Sequence, residues 1–587
     1  MTGFGKEQRL AVSMARSLRG RRFLAGLASG VVAVSVVVVP RVASASEVTW
    51  AAMFGSANRD HGTAVSATTG AVYVGGVTSG QLPTLTSKGK DDAFLRKFDA
   101  SGAVQWTVQF GTNNYDAVMG ISARTDGVYA GGFTLGSLYG ASAGGVDAIV
   151  RKYDTSGGVL WTRQFGTAAD EAVLAVTSDA DGVVVAGWTS GELQGSSAGK
   201  TDAFVRKFDA SGNAVWTRQF GGSGDERAEG VSLTSGNVYV GGYTTAGLPS
   251  EAYGGGRDGF IRKYDSAGNA QWTDEIGTAG TDDVSGVSAR VGGIYVSGFT
   301  DGTLPGQANA GGTDGFVWKY SSGGSTAWAK QFGTSGGDVA LAVAATSSRE
   351  YVAGYTSGTF AGESLAGDTD SFVVTVDTGG SIIRTREFGT SGWEGAMDVS
   401  APSSSAAYFA GAGNKALFGH ANSGGFDAFA GKYVLSRPDG LIGTTAASQI
   451  GNGVYNTTGT GQTKTGQAET FDSVTFFITA QNDGPAAESM KVTGCGGSPG
   501  WGVKYLAGTV GGADITSQVV AGTYSLGSLA PGDAKSLRVQ ILHKSGAQIG
   551  SYKSCLVTVR SSTQSTARDA VKARVKAVAP TTPEAAR

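Results

Sequence analysis

One tryptophan returns along this chain at Trp50, Trp106, Trp161, Trp216, Trp272 and Trp328, every 55 or 56 residues, and Arg384 takes the next position. Each is followed by an apolar residue and a Gly, at Phe54, Phe110, Phe165, Phe220, Ile276, Phe332 and Phe388. Two further series keep the same period. An Asp opens an apolar run at Asp92, Asp147, Asp202, Asp258, Asp314, Asp370 and Asp427. A Gly sits inside a strand-like run at Gly76, Gly132, Gly187, Gly242, Gly298, Gly354 and Gly411. A unit that cannot bury its own apolar face must stack on its neighbours, so such a repeat folds either as a line or as a ring.

Each copy reads as four strands. In the third, residues 172–178 and 183–189 flank Asp179-Ala180-Asp181-Gly182, and 202–209 and 214–220 flank Ala210-Ser211-Gly212-Asn213. Gly in such short connections is a hairpin signal. Seven four-stranded units, with no helical period and no polar end caps, predict a seven-bladed β-propeller over residues 46–435. The ends support a ring. Val48-Thr49-Trp50 enters as a fourth strand without its first three, and the last copy, about 394–434, lacks its fourth. Residues 47–54 should therefore complete that last blade and remove the open edges.

Residues 201–221, TDAFVRKFDASGNAVWTRQFG, resemble the repeat of the SBBP (beta-propeller repeat) family, and the resemblance extends over about 47–434. It implies a propeller and brings no catalytic residues. Ser436-Arg437-Pro438-Asp439-Gly440 reads as the start of a linker, 436–445. Alternating runs such as SVTFFITA and SLRVQI then predict an antiparallel sandwich over 446–578. Within it, VTFFITAQNDGPAAESMKVTG resembles bacterial immunoglobulin-like modules of the CARDB type. The expected class is thus all-β, a propeller followed by an immunoglobulin-like β-sandwich, with a disordered tail at 579–587.

The N-terminal 1–45 reads as a signal peptide: six basic residues, an apolar stretch over 23–39, then Val42-Ala43-Ser44-Ala45 with cleavage after Ala45. Arg21-Arg22 leaves Sec and twin-arginine export both open. The mature chain is expected to be secreted or envelope-associated, with no transmembrane helix. In that compartment Cys495 and Cys555, the only cysteines, should form a disulfide. A net charge of −2 argues against a nucleic-acid partner.

Reactive constellations are sparse. His61, His420 and His543 fall in unrelated contexts, and no nucleophile triad or phosphate loop is visible. Acids are the exception. The Asp92 series and a second series, Asp60, Asp116, Asp170, Asp225, Asp282, Asp338 and Glu394, would ring one face with fourteen carboxylates. Either they cap backbone N–H groups at strand starts, or pairs of them bind calcium, with Asp92, Asp147, Asp202, Asp258, Asp314, Asp370 and Asp427 as the metal candidates. Recurrence in every copy favours caps, with the recurring Lys97, Lys152, Lys207, Lys263, Lys319 and Lys432 as ion-pair partners. No cofactor other than calcium is suggested.

Ligand sites are sought where copies differ. Tyr115, Tyr139, Tyr253 and Trp393 fall in variable loops and are candidates for stacking on sugar rings or anchoring a protein. The function expected is non-catalytic interaction with a protein or carbohydrate outside the cell. The alternatives are a propeller enzyme acting on a polysaccharide and a purely structural surface-layer component. An enzyme should show a convergent acid/base cluster in the central funnel, drawn from residues that break the repeat. Deleting residues 46–56 should lower the melting temperature of the whole repeat region; an unchanged transition would refute the closing-strand reading.

Overall fold

A computed structural model describes residues 48–404, 406–435, 438–451, 457–484, 487–530, 532–562 and 567–580. The expected signal peptide, 1–45, and residues 581–587 of the expected tail lie outside them. The chain divides into two compact units, the first over Trp50–Lys432 and the second from Tyr433 onward. Both are built of strands; the one described helix is Thr516–Val520. No helix among the described residues is long and apolar enough to cross a membrane.

The first unit holds seven four-stranded sheets. Six are made of consecutive strands, as in the third, Glu171–Ser178, Gly182–Thr189, Asp202–Asp209 and Ala214–Phe220, all antiparallel. In the seventh, Val48–Phe54 pairs with Asp427–Val434, beyond which lie Ala406–Gly413 and Glu394–Ser403. The N-terminal strand thus completes the sheet begun at the far end of the unit.

Consecutive sheets are joined in the same way at every junction. The N–H of the acid that opens each first strand donates to a carbonyl of the sheet before it: Asp116 to Asp91, Glu171 to Val146, Glu226 to Thr201, Asp282 to Arg257, Asp338 to Thr313 and Glu394 to Thr369. The seventh, Asp60 to Phe426, links the first sheet to the last. All seven span 2.6–2.9 Å. The first strands lie against one another in the same circuit, with Glu394–Ser403 against Asp60–Ala67, and are the innermost strands of a propeller-like arrangement.

The tryptophan series binds the outer edge. Each indole N–H donates to a turn carbonyl of the following sheet: Trp50 to Ala100, Trp106 to Thr155, Trp161 to Ala210, Trp216 to Ser266, Trp272 to Ser322 and Trp328 to Thr378, at 3.0–3.4 Å. The turn is shaped to receive it. Asp209 accepts from the N–H groups of Ser211 and Asn213, and Gly212, at φ +82°, lays its bare Cα on Trp161. Phe165 meanwhile receives the guanidinium of Arg206 from the next sheet, 4.5 Å from its centroid. Arg384 breaks the series because the seventh sheet has no third-to-fourth turn: its fourth strand comes from the N-terminus. Arg384 pairs with Glu363 instead, at 2.8 Å.

The Gly series answers a close approach. Every first strand carries a β-bulge, and a Cβ on Gly187 would overlap the Ala172 carbonyl beside it. An apolar residue recurs between the second and third strands of each copy; Leu82, Leu248, Leu304, Phe360 and Leu417 are buried as packing residues, and Leu138 and Leu193 are half-buried.

The second unit has two five-stranded sheets. One runs Ser448–Ile450, Pro438–Thr445, Ser473–Asn482, Ala534–His543, Trp501–Ala507; the other Thr463–Ala468, Arg568–Ala577, Tyr552–Ser561, Glu488–Thr493, Tyr524–Leu529. Phe476, Ile478, Val539 and Ile541 of the first share one core with Val557, Val559, Val571 and Val575 of the second. Cys495 and Cys555 form a disulfide. The expected linker 436–445 needs correction. Pro438–Thr445 is a strand that pairs with Ser473–Asn482, and the buried Ile442 opposite Ile478 anchors it in the core. Its Pro begins the strand, where a missing N–H costs no ladder bond.

Trp216→Phe, which keeps a ring but loses the indole N–H, should cost about 1 kcal/mol. Arg384→Trp, at the junction with no turn to receive it, should bring no gain. Denaturant melts of the two variants check this, and a stabilised Arg384→Trp would contradict it.

Candidate functional site

Both carboxylate series are buried, each member 0–1% exposed. In the series that begins at Asp60, the third and fourth copies use Glu171 and Glu226, not the expected Asp170 and Asp225. The spacing Asp60, Asp116, Glu171, Glu226, Asp282, Asp338, Glu394 keeps the 55- or 56-residue period that Asp170 and Asp225 miss by one. Each accepts a backbone N–H from four residues earlier at 2.6–2.8 Å, as Asp116 does from Thr112. The Asp92 series does the same at 2.5–3.0 Å, as Asp202 does from Ala198. These are strand-start caps. Among the described residues no group of three or more His, Cys, Asp or Glu is placed to hold a metal ion.

The two series meet at the junctions. A Cβ on Gly221, after Phe220, would touch both Glu226 and Asp202, which is why a Gly must follow the aromatic. Burial, then the facing carboxylate, raises the pKa of Asp60 beside Asp427, Asp116 beside Asp92 and Asp338 beside Asp314. The expected lysine partners are elsewhere. Lys97, Lys263 and Lys319 lie over Tyr73, Tyr239 and Tyr295 and donate to turn carbonyls of the next sheet. Gln takes their place beside four of the caps: Gln109, Gln164, Gln219 and Gln331 donate to Asp92, Asp147, Asp202 and Asp314 at 2.6–2.9 Å. In the fourth and sixth copies that position is Glu275 and Glu387. Burial, then Asp370, pushes Glu387 up to about 7.

The four loop aromatics, two of them (Tyr115 and Tyr139) in the second sheet, share no ring contact with one another among the described residues. Trp393 is no exposed platform: it is half-buried between Tyr355 and Phe426, centroids 5.8 and 5.6 Å away. Tyr115 is half-buried under the Lys90 ammonium. Tyr253, 40% exposed, is held by its hydroxyl, 2.8 Å from the carbonyl oxygens of Thr245 and Gly256. Tyr139 is 55% exposed.

The departures from the repeat gather instead on the innermost strands. The bulge leaves one unpaired residue per sheet: Thr63, Met119, Leu174, Glu229, Ser285, Leu341 and Met397. Equivalent positions in a circuit of strands form a ring about the axis, and all but Thr63 are half-buried. Glu229 is its one titratable member. Arg227, two residues earlier on the same strand face, stacks on the buried Trp188 of the third sheet, 4.9 Å from the ring centroid. Its Nε is buried and has no hydrogen-bond partner among the described residues. Asp283, at the equivalent position in the fifth sheet, accepts from Arg257 Nη1 at 2.6 Å. Arg257 itself lies 3.7 Å over the centroid of Tyr243.

Burial raises the pKa of both Glu229 and Asp283. Burial, and then the charge of Asp283, pushes Glu229 up to about 8. The guanidinium groups of Arg227 and Arg257 act on both carboxyls and oppose that rise. Other copies have His61, Ala117, Ala172, Val339 and Gly395 where Arg227 and Asp283 stand. Aligning the copies position by position would have revealed this cluster; a search for loop aromatics passed over it. Beside it, Trp188 joins an apolar cluster with Phe133, Val146, Met119 and Leu174. In the second unit, a cavity of about 540 Å³ is lined by Thr493, Gly522, Arg560 and Arg568 among others.

No family model matches the chain. Regulatory protein FlaEY of Caulobacter vibrioides is 28% identical over 284 residues, which is 42% of this chain and 30% of that protein. The chain thus spans about a third of the length of that relative. Pseudomonas brassicacearum lignostilbene dioxygenase superposes with a TM-score of 0.35 at 10% identity, over 64% of this chain and 88% of that one. A Bacillus subtilis arabinoxylan arabinofuranohydrolase of glycoside hydrolase family 43 does so at 0.25 and 10% identity, over 89% and 96%.

Glu387 yields a prediction with a definite sign. Its folded pKa is raised, so its contribution to stability is complete below about 4.5 and is lost as pH rises through about 7. Glu387→Gln should be about 1–3 kcal/mol more stable than the parent at pH 8 and equal to it at pH 4. Melting curves at the two pH values test it; a pH-independent difference would refute it.

Proposed function

We propose that this chain is an exported, non-catalytic recognition protein: a seven-bladed β-propeller closed by its N-terminal strand, followed by an immunoglobulin-like β-sandwich. It acts outside the cell or in the envelope on a protein or carbohydrate partner. The architectural reading rests on the seven sheets, the junction bonds running from Asp60 back to Phe426, and the two-sheet core of the second unit. The Cys495–Cys555 disulfide suits an oxidising compartment.

The observation that carries the functional reading is the contrast between two sets of charges. Fourteen recurring carboxylates are occupied as caps. The charges that break the repeat, Arg227, Glu229, Arg257 and Asp283, meet at one place on the inner strands with aromatic rings beside them. That arrangement of guanidinium donors and rings suits recognition.

A propeller enzyme acting on a polysaccharide is the second reading, favoured by two buried carboxyls, Glu229 and Asp283, that break the repeat, with Glu229 pushed up to about 8. Pull-downs on cell-wall material and glycans with the mature protein and with an Arg227→Gln/Arg257→Gln variant test the proposal. Retention by the parent alone supports recognition through the cluster. Equal retention by both refutes it. Release of new reducing ends by the parent but not by Glu229→Gln would establish the enzyme.

A further inference from the structure

The inner cluster is chemically lopsided. Arg257 is satisfied: it pairs with Asp283 and covers Tyr243. Arg227 is not. Its guanidinium has a ring on one side, and its Nε lacks a partner although buried. A buried guanidinium N–H left unpaired forfeits a charge-assisted hydrogen bond, so an acceptor entering there is strongly favoured. The groups around Arg227 do not supply one. Asp283 Oδ2 is engaged by Arg257, Glu229 is pushed towards its neutral form by burial, Tyr243 lies under Arg257, and none of the three accepts from the Arg227 Nε.

Four of the other six ring members at this level are apolar. Of the seven bulge residues, Met119, Leu174, Leu341 and Met397 are half-buried hydrophobes, brought to the axis by the same bulge that presents Glu229. A bulge residue has no ladder partner and is free to vary between copies. An apolar ring with one unsatisfied guanidinium on its wall is the pattern of a ligand site with a single orienting charge.

We propose that the axial ring binds a small amphipathic carboxylate, its head group bidentate on Arg227 and its hydrocarbon or aromatic part against the methionine and leucine side chains. This rests on reading the inner cluster as a recognition site and adds the chemistry of what it recognises. A planar carboxylate matches the guanidinium fork, which a hydroxyl or amide does not. Glu229 tunes the site. While protonated it adds no second anion beside the ligand, and once ionised it opposes the ligand's charge.

Calorimetric titration of the whole protein with octanoate, phenylacetate and the neutral octanamide tests the proposal. Octanoate or phenylacetate should bind and octanamide should not. Arg227→Gln should weaken binding about ten- to hundredfold, and Arg227→Lys less. Melting curves of both variants show that they are folded. In the parent, affinity should fall as pH rises from 7 to 9, and Glu229→Gln should bind equally at both pH values. Equal binding of octanoate and octanamide overturns the proposal, as does carboxylate binding indifferent to Arg227. If pull-down of a partner depends on Arg227 while neither acid binds, this inference fails and the recognition reading stands. If nothing depends on Arg227, both fall.

Discussion

Each sheet of the first unit is held to the last by a backbone N–H reaching across the junction to a carbonyl, and that donor belongs to an acid whose side chain caps the chain four residues earlier. One residue therefore does two jobs at once. Its backbone sets the distance between sheets, and its carboxylate satisfies donors that a tight turn would otherwise bury unpaired. Burying this carboxylate is costly, and a second carboxylate opposite adds to the cost, as the raised pKa values show. The arrangement holds because every cap accepts a backbone N–H four residues back, and because a glutamine amide stands beside the Asp92 series in four copies.

These demands explain the uniformity of the repeat. The Phe-Gly pair passes between two carboxylates, the strand glycines pass a neighbouring carbonyl at the bulge, and the Trp needs a turn in the next sheet. None of these positions can drift. The bulge residue and the second residue of each first strand have no such obligation, and there the copies diverge into apolar, acidic and basic side chains. Constancy marks the frame and divergence marks the site.

Much of this was legible beforehand. Trp50 and its successors, with the orphan strand at Val48, are enough to count the sheets and to pair the first described strand of the repeat unit with the last. Cys495 and Cys555 pair, as expected of the only two cysteines. Other features were out of reach. That Asp202 faces Glu226 is a matter of register across a junction, which one copy's sequence does not contain. Trp393 looked like an exposed loop residue, yet Tyr355 and Phe426, from two different sheets, enclose it. Pro438–Thr445 looked like a linker because Pro and Gly dominate its start, and only the apolar Ile442 ties it to a core. Arg227 and Asp283 were hidden by their setting in runs that otherwise repeat faithfully.

The strand Val48–Phe54 has a temporal consequence. It precedes every other described strand of its unit in the chain, and its partner, Asp427–Val434, comes last, so synthesis separates the two in time. Until then the growing array has an unpaired edge at each end, and the circuit of first strands is open. The loop that must close spans nearly the whole unit, so its entropic cost falls on a single late event. The six continuous sheets can assemble as the chain lengthens, but the axial ring exists only once that strand docks. Every incomplete copy of the chain therefore lacks the closed circuit of inner strands.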